Sequence, residues 1–417
     1  MKKRKINRYI FIFIALFVLM CPSLNFKDCS LALEYNTSYA QNENTEDDLD
    51  QTLDETSQAI EEEIGKQLDN LDFSSLDDIL LSLTDSQTDV FGGSSFIDKL
   101  QKLLNGEFDN NQSLWTGILS IFFDNLLSIL PTMSLIIAIA LLGSMLQGLK
   151  PNNNGKSISS LIHFVTYGII VVLLLSIVVK MISLTTTTLQ SVKSQMDAIF
   201  PILLTLLTAI GGTVSTSVYQ PAMALLAGTI MNLFTYVLLP IFIFSIVFNI
   251  ISNLSTTVNL DKFTSFFDST FKWITGLIFT IFTAFLSIQG ITAGSIDGIS
   301  LRTAKFAIRS YIPILGSYIS DGMGIILASS NLIKNAVGAT GLFLLLATII
   351  SPLIELVLFM LILKLVAGII EPLGNKQIAN FIASLSKSMQ LLIALIVGIA
   401  FIYFITMGLV MCSANII

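Results

Sequence analysis

From Ser113 to the C-terminus, apolar runs follow one another with few charges between them. Eight are long enough to cross a bilayer: 131–149, 158–184, 198–217, 219–251, 269–293, 311–333, 336–370 and 389–411. A hydrocarbon core about 30 Å thick needs roughly 20 helical residues, because only helices and closed barrels satisfy their own backbone there. The chain is 53% hydrophobic and 12% charged, outside the soluble norm of about 45–50% and about 25%. The expected fold is therefore an all-α, polytopic membrane domain over residues 113–417, with about eight spans. Residues 113–130 look amphipathic and suit the interface, with Trp115 as an anchor. The run 198–217 is interrupted by Gly211-Gly212, while 219–251 and 336–370 enclose Pro240 and Pro352, which kink or split helices.

The first 40 residues read as a secretory signal. Lys2, Lys3, Arg4, Lys5 and Arg8 precede an 11-residue apolar core, Ile10 to Met20, shorter than a spanning helix and within the usual signal range. Ser38-Tyr-Ala40 is a plausible cleavage site and Ser30-Leu-Ala32 its competitor; an uncleaved anchor has the same polarity. Of the 29 acidic residues, 19 lie between Gln41 and Gln112 and eight beyond. Residues 41–112 thus form an acidic segment outside the cytoplasm, its first part poor in aromatics and suited to disorder or a loose helix. Two short amphipathic helices follow, announced by Ser74-x-x-Asp77 and Ser95-x-x-Asp98. They either fold on each other or on the membrane, or offer a docking surface to partner proteins.

Between residues 287 and 341 the charge returns: Asp297, Arg302, Lys305, Arg309, Asp321 and Lys334 stand between two apolar blocks. Ionisable groups near or within a bilayer are costly and mark function by default, against the plainer readings of helix-locking ion pairs or a basic surface loop. Asp321, between Gly316 and Gly322, and Glu355, after Pro352, face the same choice. The candidate functional residues are Gln289, Gly290, Asp297, Arg302, Lys305, Asp321, Lys334, Asn335 and Glu355.

The same stretch carries a resemblance. Leu286-Ser-Ile-Gln-Gly290, Asp297-Gly298, Leu301-Arg-Thr-Ala-Lys-Phe306, Pro313, Ser320-Asp321 and Lys334-Asn-Ala-Val-Gly338 resemble the stage III sporulation protein AE family. Glu371-Pro-Leu-Gly374, Ser384-Leu-Ser-Lys387-Ser388, Pro201 to Gly212 and Tyr219-Gln-Pro221 extend the likeness from about Trp115 to the end. The resemblance implies a multi-pass protein of the mother-cell membrane and a component of the channel complex joining mother cell and forespore. The implied partners are the other stage III sporulation A proteins and the forespore protein Q across the intermembrane space. A solitary permease and a non-conducting assembly scaffold are the alternatives.

Nothing in the residues points to catalysis, a cofactor or a metal. The one histidine, His163, has no neighbouring His or Cys, whereas structural zinc wants four ligands. Asp297 and Asp321 lack the glycine-x-glycine-aspartate context of intramembrane aspartyl proteases, and Asp297 is expected in a loop. A faint internal echo pairs Pro201 with Pro313, Pro240 with Pro352 and Gly212 with Gly324, at an offset of 112 residues. With eight spans the two units would be inverted, a recurrent transporter design. The charge count then places Arg302, Lys305 and Arg309 inside, five basic residues outside, and the C-terminus outside.

Overall fold

The computed structural model describes residues 46–92, 95–106, 111–148, 155–254, 260–311, 315–373 and 376–413. The signal segment and the loop residue Lys150 lie outside them, as does the side chain of His163. The chain divides into two units, 1–62 and 63–417. Of the first, the described part is the start of helix α1 (Glu46–Asp69).

In the second unit three short helices come first: α2 (Ser74–Leu81), α3 (Asp85–Phe91) and α4 (Phe96–Leu104). Ser95 caps α4 as expected, its side chain accepting the Asp98 N–H. Helix α3 was not anticipated; a capping box between Thr84 and Gln87 starts it. Their apolar faces are spent internally, since Leu76, Val90, Phe91, Phe96 and Leu100 are fully buried. The long helices follow: α5 (Asn111–Gly148), α6 (Gly155–Ala209), α7 (Thr213–Ala224), α8 (Leu239–Leu254), α9 (Asp261–Tyr311), α10 (Leu315–Ile370) and α11 (Lys376–Cys412). Two π-helical stretches, Leu225–Ile230 and Phe234–Leu238, carry α7 into α8 without a break just before Pro240. No strand occurs among the described residues.

Six of these helices, with α7 and α8 as one, are long and apolar enough to cross a membrane. The expected runs 158–184 and most of 198–217 fall in one helix, as do nearly all of 311–333 and all of 336–370. Residues 113–130 are likewise continuous with 131–148 in α5. The reason is visible at the threonine run: Thr185, Thr186 and Thr188 each donate their hydroxyl to a carbonyl one turn back, at 2.7–2.9 Å. A polar stretch satisfied by its own helix does not interrupt it.

The helices alternate in direction. Helix α6 runs against α10, bringing Lys180 to Glu355, Gln195 to Thr348 and Ile199 to Gly341. Helix α10 runs against α11, with Met411 and Met407 packed on Gly338 and Gly341, where an added Cβ would meet them at 2.6 and 2.8 Å. Such small-residue contacts let helices approach closely in a membrane; Gly276 on α9, by contrast, has no neighbour within 4 Å of where its Cβ would stand. Helix–break–helix thus occurs twice, at 209–213 and 311–315, with both pairs running in the same sense. This replaces the inverted repeat, which required 155–209 and 315–370 each to be split, and Pro201 lies inside α6.

The short helices dock on the chain's own helical domain. Gln87 of α3 donates to the Thr348 carbonyl, the Lys99 ammonium of α4 lies 4.8 Å from the centre of the Phe343 ring, and Gln67 at the end of α1 exchanges hydrogen bonds with Ser329 and Ser330 of α10. Removing a buried phenylalanine costs about 3–5 kcal/mol. Phe96→Ala is therefore expected to open this layer, with trypsin cutting at the buried Lys99 in detergent-solubilised protein while the parent resists.

Candidate functional site

Helix α6 ends at Ala209 and α7 begins at Thr213. Gly211 makes the turn with φ 83°, a left-handed conformation that glycine adopts at little cost. The N-terminus of α7 then presents free N–H groups in the interior. Asp297 closes it from another helix: its carboxylate accepts from Val214 N at 2.9 Å and Ser215 N at 2.8 Å. Only 1% of Asp297 is exposed. It sits inside α9, not in a loop, and its negative charge meets the positive end of the α7 dipole.

A matching closure lies at the other polarity. Lys334, fully buried on α10, donates to the Ser413 carbonyl at 2.6 Å, just past the C-terminus of α11. An ammonium at the negative end of a helix is the favourable arrangement. The Ser413 hydroxyl lies 2.9 Å from that of Tyr219 on α7. One path therefore runs from Asp297 through the start of α7 and Tyr219 to Ser413 and Lys334, tying together α7, α9, α10 and α11. Tyr219 and Ser413 were not singled out among the candidate residues; the Tyr219-Gln-Pro221 motif was their signal. Asn335, next to Lys334, keeps its side-chain oxygen buried without a hydrogen-bond partner.

Glu355 is buried and bonded to Lys180 at 2.7 Å, joining α10 to α6. Arg302 is exposed and Lys305 half-buried on α9, at the same end as the 209–213 break and Ser413. That end also holds the short helices, so the eight-span count, which set Arg302, Lys305 and Arg309 on the opposite side, does not fit six alternating helices. Arg309 donates to Ser320 across the α9–α10 turn at 2.9 Å. The side chains of Gln289 and Asp321 and the surroundings of Gly290 lie outside what is described, although the backbone at all three is helical.

The outer face of α6 changes character along its length. Leu161, Phe164, Val165, Ile169, Val172, Leu175 and Val179 are exposed first. Then come Lys180, Ser183, Thr187, Gln190, Ser194 and Asp197. Beyond them an open cleft of about 450 Å³ lies between α6 and α7, bordered by Asp197, Thr205, Thr208, Thr216 and Gln220 on a floor that includes Met223. Chemically, the closed helix ends hold structure and the polar face offers hydrogen bonds. Both Asp297 oxygens are engaged by N–H groups, and among the described residues no three His, Cys, Asp or Glu gather as metal ligands.

Long apolar helices closed by buried ionic groups define a polytopic, all-α membrane protein. The chain belongs to the stage III sporulation protein AE family, which matches residues 94–414, from just before α4 to the end of α11. It is similar to the stage III sporulation protein AE of Bacillus subtilis (strain 168), 26% identical over 317 residues that cover 76% of this chain and 79% of that one. No solved structure matches.

Asp297→Ala strips the cap from α7 and is expected to destabilise the protein by about 2 kcal/mol. Asp297→Asn, which keeps an acceptor, should do less harm; thermal unfolding in detergent orders the two. Lys334→Met and Tyr219→Phe act on one network, so their effects should be non-additive by about 1 kcal/mol. Faster hydrogen exchange over residues 405–413 in Lys334→Met would report the freed end of α11.

Proposed function

We propose that this chain is a membrane component of the channel complex that joins mother cell and forespore during endospore formation. Its partners in this reading are the other stage III sporulation A proteins and the forespore protein Q across the gap. Family membership supports the sporulation role. The observation that carries the conduit reading is the polar face of α6 from Lys180 to Asp197. A helix long and apolar enough to span a bilayer gains nothing by turning charges and amides toward lipid. Such a face suits water or a polar partner surface.

In this reading the protein sits in the mother-cell membrane and its exported acidic segment faces the intermembrane space. The short helices and the C-terminal end of α11 share one end of the bundle, so both face that space, together with Arg302, Lys305 and Arg309. The role is non-enzymatic. A second reading, a permease for a small solute, is favoured by the cleft between α6 and α7, whose volume of about 450 Å³ suits a small ligand.

Tagged protein purified from the membranes of sporulating cells is expected to bring down the other stage III A proteins. The double variant Gln190→Leu, Asp197→Leu should still assemble but arrest forespore development. Recovery of the chain alone, under conditions that keep other membrane complexes intact, would sink the channel reading and leave the permease in front.

A further inference from the structure

The hairpin of α8 and α9 contains a polar seam where an apolar one would be expected. Ser245 donates to Asp268 at 2.5 Å, and one end of the hairpin is closed by Ser252 donating to Asp261 at 2.7 Å. The two helices are antiparallel, so this register sets Asn249 opposite Thr264, between those rungs. Ser245, Asn249, Thr264 and Asp268 are all at least nine-tenths buried. On the neighbouring face, Phe244, Phe248, Phe263 and Phe267 stack with centroids 5.4–5.7 Å apart, separating the seam from its surroundings.

Two observations mark the seam as built for a ligand and not only for helix packing. Asn249 Nδ2 and Thr264 Oγ1 are buried without a hydrogen-bond partner among the described residues. Turning the Asn249 amide does not help, because its oxygen already accepts from Asn253 Nδ2 at 2.9 Å. Asp268, 6% exposed, takes part in no ion pair among the described residues. The ionisable groups around it are few. On α9 there are Asp261, Lys262 and an exposed Lys272, and residues 239–254 of α8 have none. Helix α11 brings Lys376, Lys387 and the buried Tyr403, α10 brings Glu355 and Lys364, α7 brings only Tyr219, and α6 brings the buried Tyr167, whose hydroxyl donates to the Ile250 carbonyl beside Asn249. An isolated buried carboxylate, flanked by two hydroxyls and an amide, lacks a positive charge.

We propose that the Asp268 seam is a binding site for a small monovalent cation, sodium or hydronium, inside the membrane-embedded part of the protein. The Asp268 carboxylate supplies the charge, and the Ser245 and Thr264 hydroxyls supply neutral oxygens. Asn249 Nδ2 donates to a water that completes the shell. Asp268 lies seven residues into α9, about 10 Å along the helix from Asp261. The site is distinct from the Asp297–Lys334 network and from the polar face of α6.

The test uses full-length protein in membranes and a lipid-soluble carbodiimide, which adds the protonated carboxyl oxygen to its central carbon while the acid proton passes to its nitrogen. Peptide mapping is expected to find the adduct on Asp268 and none in Asp268→Asn. Protection by sodium chloride but not by choline chloride identifies sodium; labelling that rises as pH falls and ignores sodium identifies hydronium. Thr264→Val, which removes one ligand oxygen and keeps the shape, should weaken the protecting cation about tenfold. In the hydronium case it should move the pH profile of labelling. Failure of Asp268 to label at any pH, with thermal stability indifferent to sodium in both parent and Asp268→Asn, overturns the proposal. So does labelling that neither sodium nor Thr264→Val alters, whatever its dependence on pH.

Discussion

Two backbone N–H groups at the start of α7 and one carbonyl at the end of α11 set the terms for the interior of this protein. A helix that stops inside a low-dielectric region leaves its end groups without water. Here one end is closed by the Asp297 carboxylate and the other by the Lys334 ammonium. Each charge is tolerated because it faces the helix terminus of opposite sign, and each terminus is tolerated because it has found that charge. The break at Gly211, the placement of Tyr219 and the docking of α11 all follow from this mutual closure.

Much of the remaining polar chemistry obeys the same rule at smaller scale. Threonine and serine hydroxyls bond back to their own helices at Thr185, Thr188, Thr205, Thr340 and Thr406. Gln195 reaches the Thr348 hydroxyl, and the Ser386 hydroxyl reaches the Met360 carbonyl. With most polar atoms so committed, the few among the described residues that are not stand out: Gln195 Oε1, Ser215 Oγ, Asn249 Nδ2, Thr264 Oγ1, Asn331 Oδ1, Asn335 Oδ1 and the Tyr403 hydroxyl. Buried polar groups without partners are where a membrane protein most often meets something other than itself.

The helical class was legible from apolar run length, and the α4 cap from Ser95 and Asp98, because both depend on local chemistry. Helix continuity was not. The threonine run and the Ser329–Asn335 stretch look like boundaries by composition. In the fold, Thr185 to Thr188 bond to the preceding turn, while Ser329, Ser330 and Lys334 are met by Gln67 and Ser413, far away in sequence. The candidate residues separate by the same criterion. Asp297, Lys334 and Glu355 could be picked out as charges among apolar residues, but their partners are two backbone amides, a backbone carbonyl and Lys180. No periodicity names a backbone atom on another helix. Asp268 does not stand out in the sequence, because Asp261, Lys262 and Lys272 lie close to it along the chain.

Helix α6 has 55 residues, about 80 Å of unbroken rod at 1.5 Å per residue, against a hydrocarbon core of about 30 Å. No joint separates its apolar outer face, which ends at Val179, from the polar face that begins at Lys180. The inner side stays packed along the way, on α10 through Gln195 and Ile199 and on α11 through Phe200. A rod so held turns as one piece: any rotation about its axis imposed where lipid meets Val172 and Val179 appears unchanged at Gln190 and Asp197. The Lys180–Glu355 pair passes the same rotation to α10, and the Gly211 turn is the first place along the chain where it can be absorbed.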